Sequence, residues 1–338
     1  MSKIERNYGV ELFRVLLVWG ICFLHSVSQG IYTMGWLVNS LLFCVDGFVF
    51  ITGYYGTSFK WSKILKLYGT SIYAGIIVGL VALCCDYIEG NDWVVLFKTI
   101  KKSALDLWFF NAYIIVLCFA PIIEKILLKK DRIRVLLPIL LLVFVWAFLR
   151  ELYYLRPFLP KATGIGAYSG LTLLGVYVCG RLTRMFEEKI SIKKWQMILL
   201  GLGSFVVCML GFGNYASPFA VLLSMCLFYF FKPRLPGKFV QKTIALLGPS
   251  LLAVYLLHSN GIGFSIIKAI ERWLCVEGVL GCICCSLLVM TGCLILDIPR
   301  RFLVWCLHKP INATLSWIDT KWDVFNNALE THIENRSC

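Results

Sequence analysis

Charge is scarce in this sequence. Of 338 residues only 15% are charged, with 19 acids against 33 lysines and arginines, and there are 4 histidines. Soluble domains carry about 25% charged residues, so an ordinary water-soluble fold is excluded. Segments of about ten residues alternating apolar and polar are also missing, which excludes a membrane β-barrel. No histidine or acid stands near Cys282, Cys284 and Cys285 to complete a zinc site, so no metal is expected. Most of the 15 cysteines lie inside apolar runs, where cysteine behaves as a small hydrophobe and not as part of a disulfide framework. No small-residue cleavage site follows a short apolar core near Lys3 and Arg6, so the first apolar segment is expected to stay as an anchor.

What is present is apolar length. The chain is 59% hydrophobic, arranged in runs each about long enough to cross ~30 Å of hydrocarbon. Ten runs are read: 10–29, 36–57, 64–84, 104–124, 133–150, 165–182, 195–213, 215–231, 243–267 and 275–298. The expected fold is all-α, a polytopic bundle of about ten transmembrane helices. Cationic residues alternate between the connections. Of the 33, 24 fall in the N-terminus, the even-numbered loops and the tail, 8 fall in the other loops, and Arg14 lies inside a span. Such a bias predicts both termini in the cytoplasm. It also accounts for the net charge of +14 without nucleic acid as a partner. The membrane domain is expected over 1–298. Residues 299–338 read as a cytoplasmic tail whose Trp305, Trp317, Ile318, Trp322 and Phe325 among charges suit an interfacial helix. The sequon Asn312-Ala-Thr314 is a chance match on that tail. Gly166 and Gly170 form a GxxxG that suits helix packing.

Ionisable residues inside a membrane helix are costly and mark function by default. The first run, "ELFRVLLVWGICFLH", holds Glu11, Arg14 and His25. Arg14 and His25 are eleven residues apart. At about 100° per residue they share one helix face, roughly three turns apart and ~16 Å along the axis. Glu11 precedes Arg14 by three and can pair with it. The second run, "CVDGFVFITGYYGT", puts Asp46 at mid-span. "LDLWFFNAYIIVLCFAP" supplies Trp108 and Asn111, and "LLGPSLLAVYLLHSN" supplies Tyr255 and His258. Each also has a plain structural use. His25 or His258 can serve only as a hydrogen-bond partner between helices, Asp46 as the neutraliser of a cation, and Glu11 as that of Arg14.

These stretches resemble acyltransferase family 3, the multi-pass membrane O-acyltransferases. Arg14 and His25 fit its Arg-X10-His signature. "VDGFVFITGYY" is similar to its second-helix element, with Thr52 at the usual serine position. "LWFFNAYIIVLCFAP", "SGLTLLGVYVCG" and "PSLLAVYLLH" resemble later elements in the same order. Where the family often has an Arg-x-x-Arg pair, Lys63 and Lys66 stand. The resemblance implies transfer of an acyl group, usually acetyl, from coenzyme A to a hydroxyl of a cell-envelope sugar or glycolipid at the cytoplasmic (inner) membrane. Acetyl-CoA would be a co-substrate, with no tightly bound cofactor. His25, Arg14 and Asp46 are the expected catalytic residues, His25 as a base or a covalent acyl relay. Glu11, Lys60, Lys63, Lys66, Trp108, Asn111, Tyr255 and His258 are expected to bind donor and acceptor, the three lysines by attracting phosphate as point charges. Three other readings compete: an exporter with His25 and Asp46 as a proton relay, a non-catalytic assembly partner, and an unrelated acyltransferase using Asn111 and His258.

Overall fold

The computed structural model describes residues 7–85, 87, 93–127, 130–151, 168–189 and 192–337. Every regular element there is helical. The helices are α1 (Tyr8–Gln29), α2 (Gly35–Leu41), α3 (Phe43–Tyr55), α4 (Trp61–Cys84), α5 (Trp93–Leu105), α6 (Trp108–Leu127), α7 (Lys130–Glu151), α8 (Gly170–Phe186), α9 (Lys194–Val207), α10 (Pro218–Phe231), α11 (Lys238–Leu247), α12 (Leu251–His258), α13 (Gly261–Leu274), α14 (Gly278–Leu296), α15 (Ile298–Cys306) and α16 (His308–Ser337).

Among the described residues, seven helical stretches are long and apolar enough to cross a membrane: Tyr8–Gln29, Gly35–Tyr55, Trp61–Cys84, Trp108–Leu127, Lys194–Phe212, Lys238–His258 and Gly278–Cys306. The chain is a multi-pass helical membrane protein. Each of the ten apolar runs falls on helix, those at 133–150, 165–182 and 215–231 on α7, α8 and the 14-residue α10. Residues 165–167, with Gly166 of the GxxxG, lie outside the described residues, as do Lys3, Arg6, Arg156, Lys161 and Cys338.

Two boundaries differ from the sequence reading. The ninth run is not one helix. Ser259 and Asn260 leave helical geometry between α12 and α13, and Asn260 is extended at φ −142° and ψ 172°. Its amide nitrogen donates to Leu256 O and Leu257 O, and its oxygen accepts from Gly263 N–H at 3.0 Å. One side chain therefore satisfies both helix ends, which makes a break affordable away from water. The second difference is α5, an amphipathic helix in what reads as a loop. It packs tightly on α4, where a Cβ at Gly75 would lie 2.7 Å from Ile100 O and one at Gly79 would lie 2.5 Å from Ile100 Cγ1.

α1 is central. Asn7 caps it by accepting from Val10 N–H at 3.1 Å, and it packs against α3, α10, α12, α13 and α14. The closest seam joins α3 to α8. A Cβ on Gly53 would sit 2.0 Å from Tyr177 O, and one on Gly180 would sit 2.3 Å from Phe50 O. Backbone thus touches backbone there, as small residues allow between membrane helices. The tail is helical and folds back. Trp322 of α16 packs on Phe59 and Trp61, with ring centroids 5.8 and 5.6 Å away, and Asp319 accepts from Ser62 N–H at 3.0 Å.

Candidate active site

The fold brings His25 and His258 together across 233 positions of sequence. Their ring centroids are 5.0 Å apart. Phe264 packs edge-on against His25 at 5.2 Å, and Ser259 Oγ lies 3.4 Å from His25 Nδ1. His25 is half-buried, whereas His258 is 2% exposed. His258 Nδ1 lies 2.5 Å from Val254 O. A carbonyl can only accept, so that nitrogen carries the proton and Nε2 keeps its lone pair. Nε2 is buried and has no hydrogen-bond partner, a costly state that a substrate could relieve. Tyr255 is one turn away, its ring 5.3 Å from Phe109 and 6.4 Å from His258.

Arg14 and Glu11 form the expected pair, Nη1 to Oε1 at 2.7 Å, at the far end of α1 from His25. The pair is partly exposed, which limits its worth to about 0–1 kcal/mol and leaves the guanidinium available. Asp46 lies on α3, whose Gly47 packs against Leu17 of α1. It is fully buried and neither carboxylate oxygen has a partner.

Trp108 packs tilted on Tyr215 and edge-on against Tyr168, with centroids 4.8 and 4.9 Å away. A row of ring contacts leads inward from it through Phe109 and Tyr255 to His258 and His25. Asn111 is exposed and donates to Leu105 O at 2.7 Å, tying the start of α6 to α5. The three lysines sit away from the histidines, beside the tail. Lys63 donates to Thr57 Oγ1 and Ser58 O, Lys66 Nζ is 3.5 Å from Asn312 Oδ1, and Lys60 and Lys66 border a polar pocket with Asp319 and Asp323.

A second polar cluster was not foreseen. Glu187 bonds Lys232, Tyr54 and Arg184, the last at 2.6 Å. Burial alone would raise the Glu187 carboxyl, but the hydrogen bonds from Lys232, Tyr54 and Arg184 hold it below the ordinary value. Beside it, Glu124 takes Arg181 at 2.7 Å and Tyr177 at 2.8 Å. Glu271, 2% exposed, accepts from Ile31 N–H at 2.5 Å and so pins the turn that follows His25 on α1. The signals were faint: Glu124 ends an apolar run, Glu187 is a rare acid in a cation-rich loop, and Glu271 is an acid in an amphipathic helix. Among the described residues no group of three His, Cys, Asp or Glu could hold a metal ion.

The structure is a polytopic helical bundle whose first helix carries Arg14 and His25, with His25 set against His258 of α12. Residues 7–298 match the family described as an acyltransferase domain, acyltransferase family 3, and the chain belongs to that family. No curated relative and no solved structure matches the chain. The chain is thus an acyltransferase-type membrane protein.

Proposed function

We propose that this protein is a membrane O-acyltransferase. It moves an acetyl or other short acyl group from acyl-coenzyme A to a hydroxyl of a cell-envelope or exported polysaccharide or glycolipid. Its setting is the cytoplasmic membrane, with ten spans, both termini in the cytoplasm and residues 299–338 as a cytoplasmic tail. The charge bias supports that orientation. The observation that carries the reading is His25: half-buried, beside Ser259 and His258, and about three turns along α1 from Arg14.

The donor is anionic and cytoplasmic, and the end of α1 that holds Arg14 receives it. A guanidinium keeps its charge at any physiological pH and offers a planar fork to phosphate. The acceptor hydroxyl approaches from the opposite side past Trp108. His25 takes the hydroxyl proton as the oxygen attacks the thioester carbonyl. The C–S bond breaks, and the departing thiolate of coenzyme A takes up the proton. His258 Nε2, an acceptor without a partner, takes a hydrogen bond from a second hydroxyl of the acceptor and so orients it. The relay variant uses the same His25 nitrogen as nucleophile. The two part on whether acyl-protein accumulates when donor is supplied without acceptor.

The test is His25→Ala in purified protein reconstituted in lipid. Acyl transfer should fall by about 10²–10⁴-fold while coenzyme A binding persists, and Arg14→Lys should weaken donor binding instead. Full turnover by His25→Ala would make the imidazole a packing group and move the chemistry to His258.

A further inference from the structure

A groove of about 750 Å³ lies between α9 and α10 on the flank of the bundle. Met197, Gly201 and Phe205 line it from α9, and Leu223 and Leu227 from α10. Gly201 lets the two helices close, since a Cβ there would already lie 3.2 Å from Cys226 Cβ. The volume is in the range of ligand pockets, about 300–1,000 Å³.

One end of this apolar groove is cationic. Lys194 and Arg234 line it. The guanidinium of Arg234 lies 3.6 Å from the centroid of the Phe230 ring, and its Nε donates to Phe230 O at 3.0 Å. The adjacent cations Lys232 and Arg184 are neutralised by Glu187. Among the described residues no carboxylate lies within 4.0 Å of Lys194 or Arg234. A long apolar trough ending in two cations without a carboxylate partner complements an acylated anion in shape and charge.

We propose that this groove holds an anionic phospholipid, an acyl chain lying between α9 and α10 and its phosphate between Lys194 and Arg234. The fixed, planar Arg234 offers bidentate donors to a phosphate, and anionic lipid is attracted to such cations within a Debye length. A second copy of the chain fits less well. Copies inserted in one orientation are related by an axis along the membrane normal, so the two cationic ends would meet at the same height and repel. The site is separate from the His25 cluster and does not rest on acyl transfer.

The experiment uses the full chain in nanodiscs of phosphatidylglycerol and phosphatidylcholine, with a trace of phosphatidylglycerol carrying a photoactivatable acyl chain. Crosslinks should map to α9 and α10, and unlabelled phosphatidylglycerol should compete better than phosphatidylcholine. Lys194→Gln and Arg234→Gln should each reduce the preference about five-fold. Leu227→Trp, which fills the trough but keeps both cations, should lower crosslinking on α9 and leave labelling elsewhere unchanged. Equal competition by the two lipids would overturn the proposal, as would charge variants that keep the preference, or protein–protein crosslinks through α9 in place of lipid adducts.

Discussion

Asp46→Ala should make the protein more stable and less active. In the fold the carboxylate is fully buried and both oxygens lack partners. Each polar atom so buried costs roughly 1–3 kcal/mol. Truncation removes both and leaves a carboxyl-sized hole, which costs about 1 kcal/mol. The net gain is therefore roughly 1–5 kcal/mol. At about 2 °C per kcal/mol for a chain of this size, the unfolding midpoint should rise by a few degrees. The assay is a thermal scan in detergent with a thiol-reactive fluorophore, which the buried cysteines make sensitive as they become exposed. Acyl transfer, measured on the same preparation, should fall by at least ten-fold, because an unpartnered buried carboxyl is retained against stability only where function needs it. Asp46→Asn, which keeps the shape, should lose activity as well. A midpoint lowered by either variant would refute the reasoning, since it would mean that the carboxylate holds a partner in the working protein.

Glu187→Gln should destabilise the fold by about 1–2 kcal/mol through loss of the bonds to Lys232, Tyr54 and Arg184. Because the Glu187 carboxyl is held below its ordinary value, its stabilisation is complete above the unfolded-state pKa of about 4.3. It is lost as pH falls through the lower folded-state value, so unfolding curves of wild type and variant should converge below that range and separate above it. Orientation is read from exposed cysteines. A membrane-impermeant maleimide should label Cys275 in intact cells and reach Cys306 only after permeabilisation; the opposite pattern would invert the topology.

The multi-pass helical character was legible because a membrane helix needs a continuous apolar run, and that signal is local. The polar stripe of α1 was legible for the same reason, since helical periodicity alone puts Arg14 and His25 on one face and Glu11 beside Arg14. Proximity between distant segments was not. Nothing local in "YLLHSNGIG" announces that Asn260 will satisfy two helix ends at once, or that His258 will meet His25. Lys60, Lys63 and Lys66 were read from charge and from the place of the family's Arg-x-x-Arg pair, and neither carries information about the tail helix that packs beside them. The Glu187 cluster draws on α3, α8 and the end of α10, and no single stretch of sequence contains its pattern.

The glycine seam between α3 and α8 has a mechanical meaning. Where Gly53 and Gly180 bring main chains into contact, no side chains intervene that could change rotamer and absorb a displacement. α3 and α8 therefore move as one lever. Asp46 sits near one end of that lever, and Tyr54, bonded to Glu187, sits at the other. A displacement of the ion cluster would be carried along the main chain to the buried carboxylate. A single methyl group added at Gly53 would wedge the seam open and disconnect one end of the protein from the other.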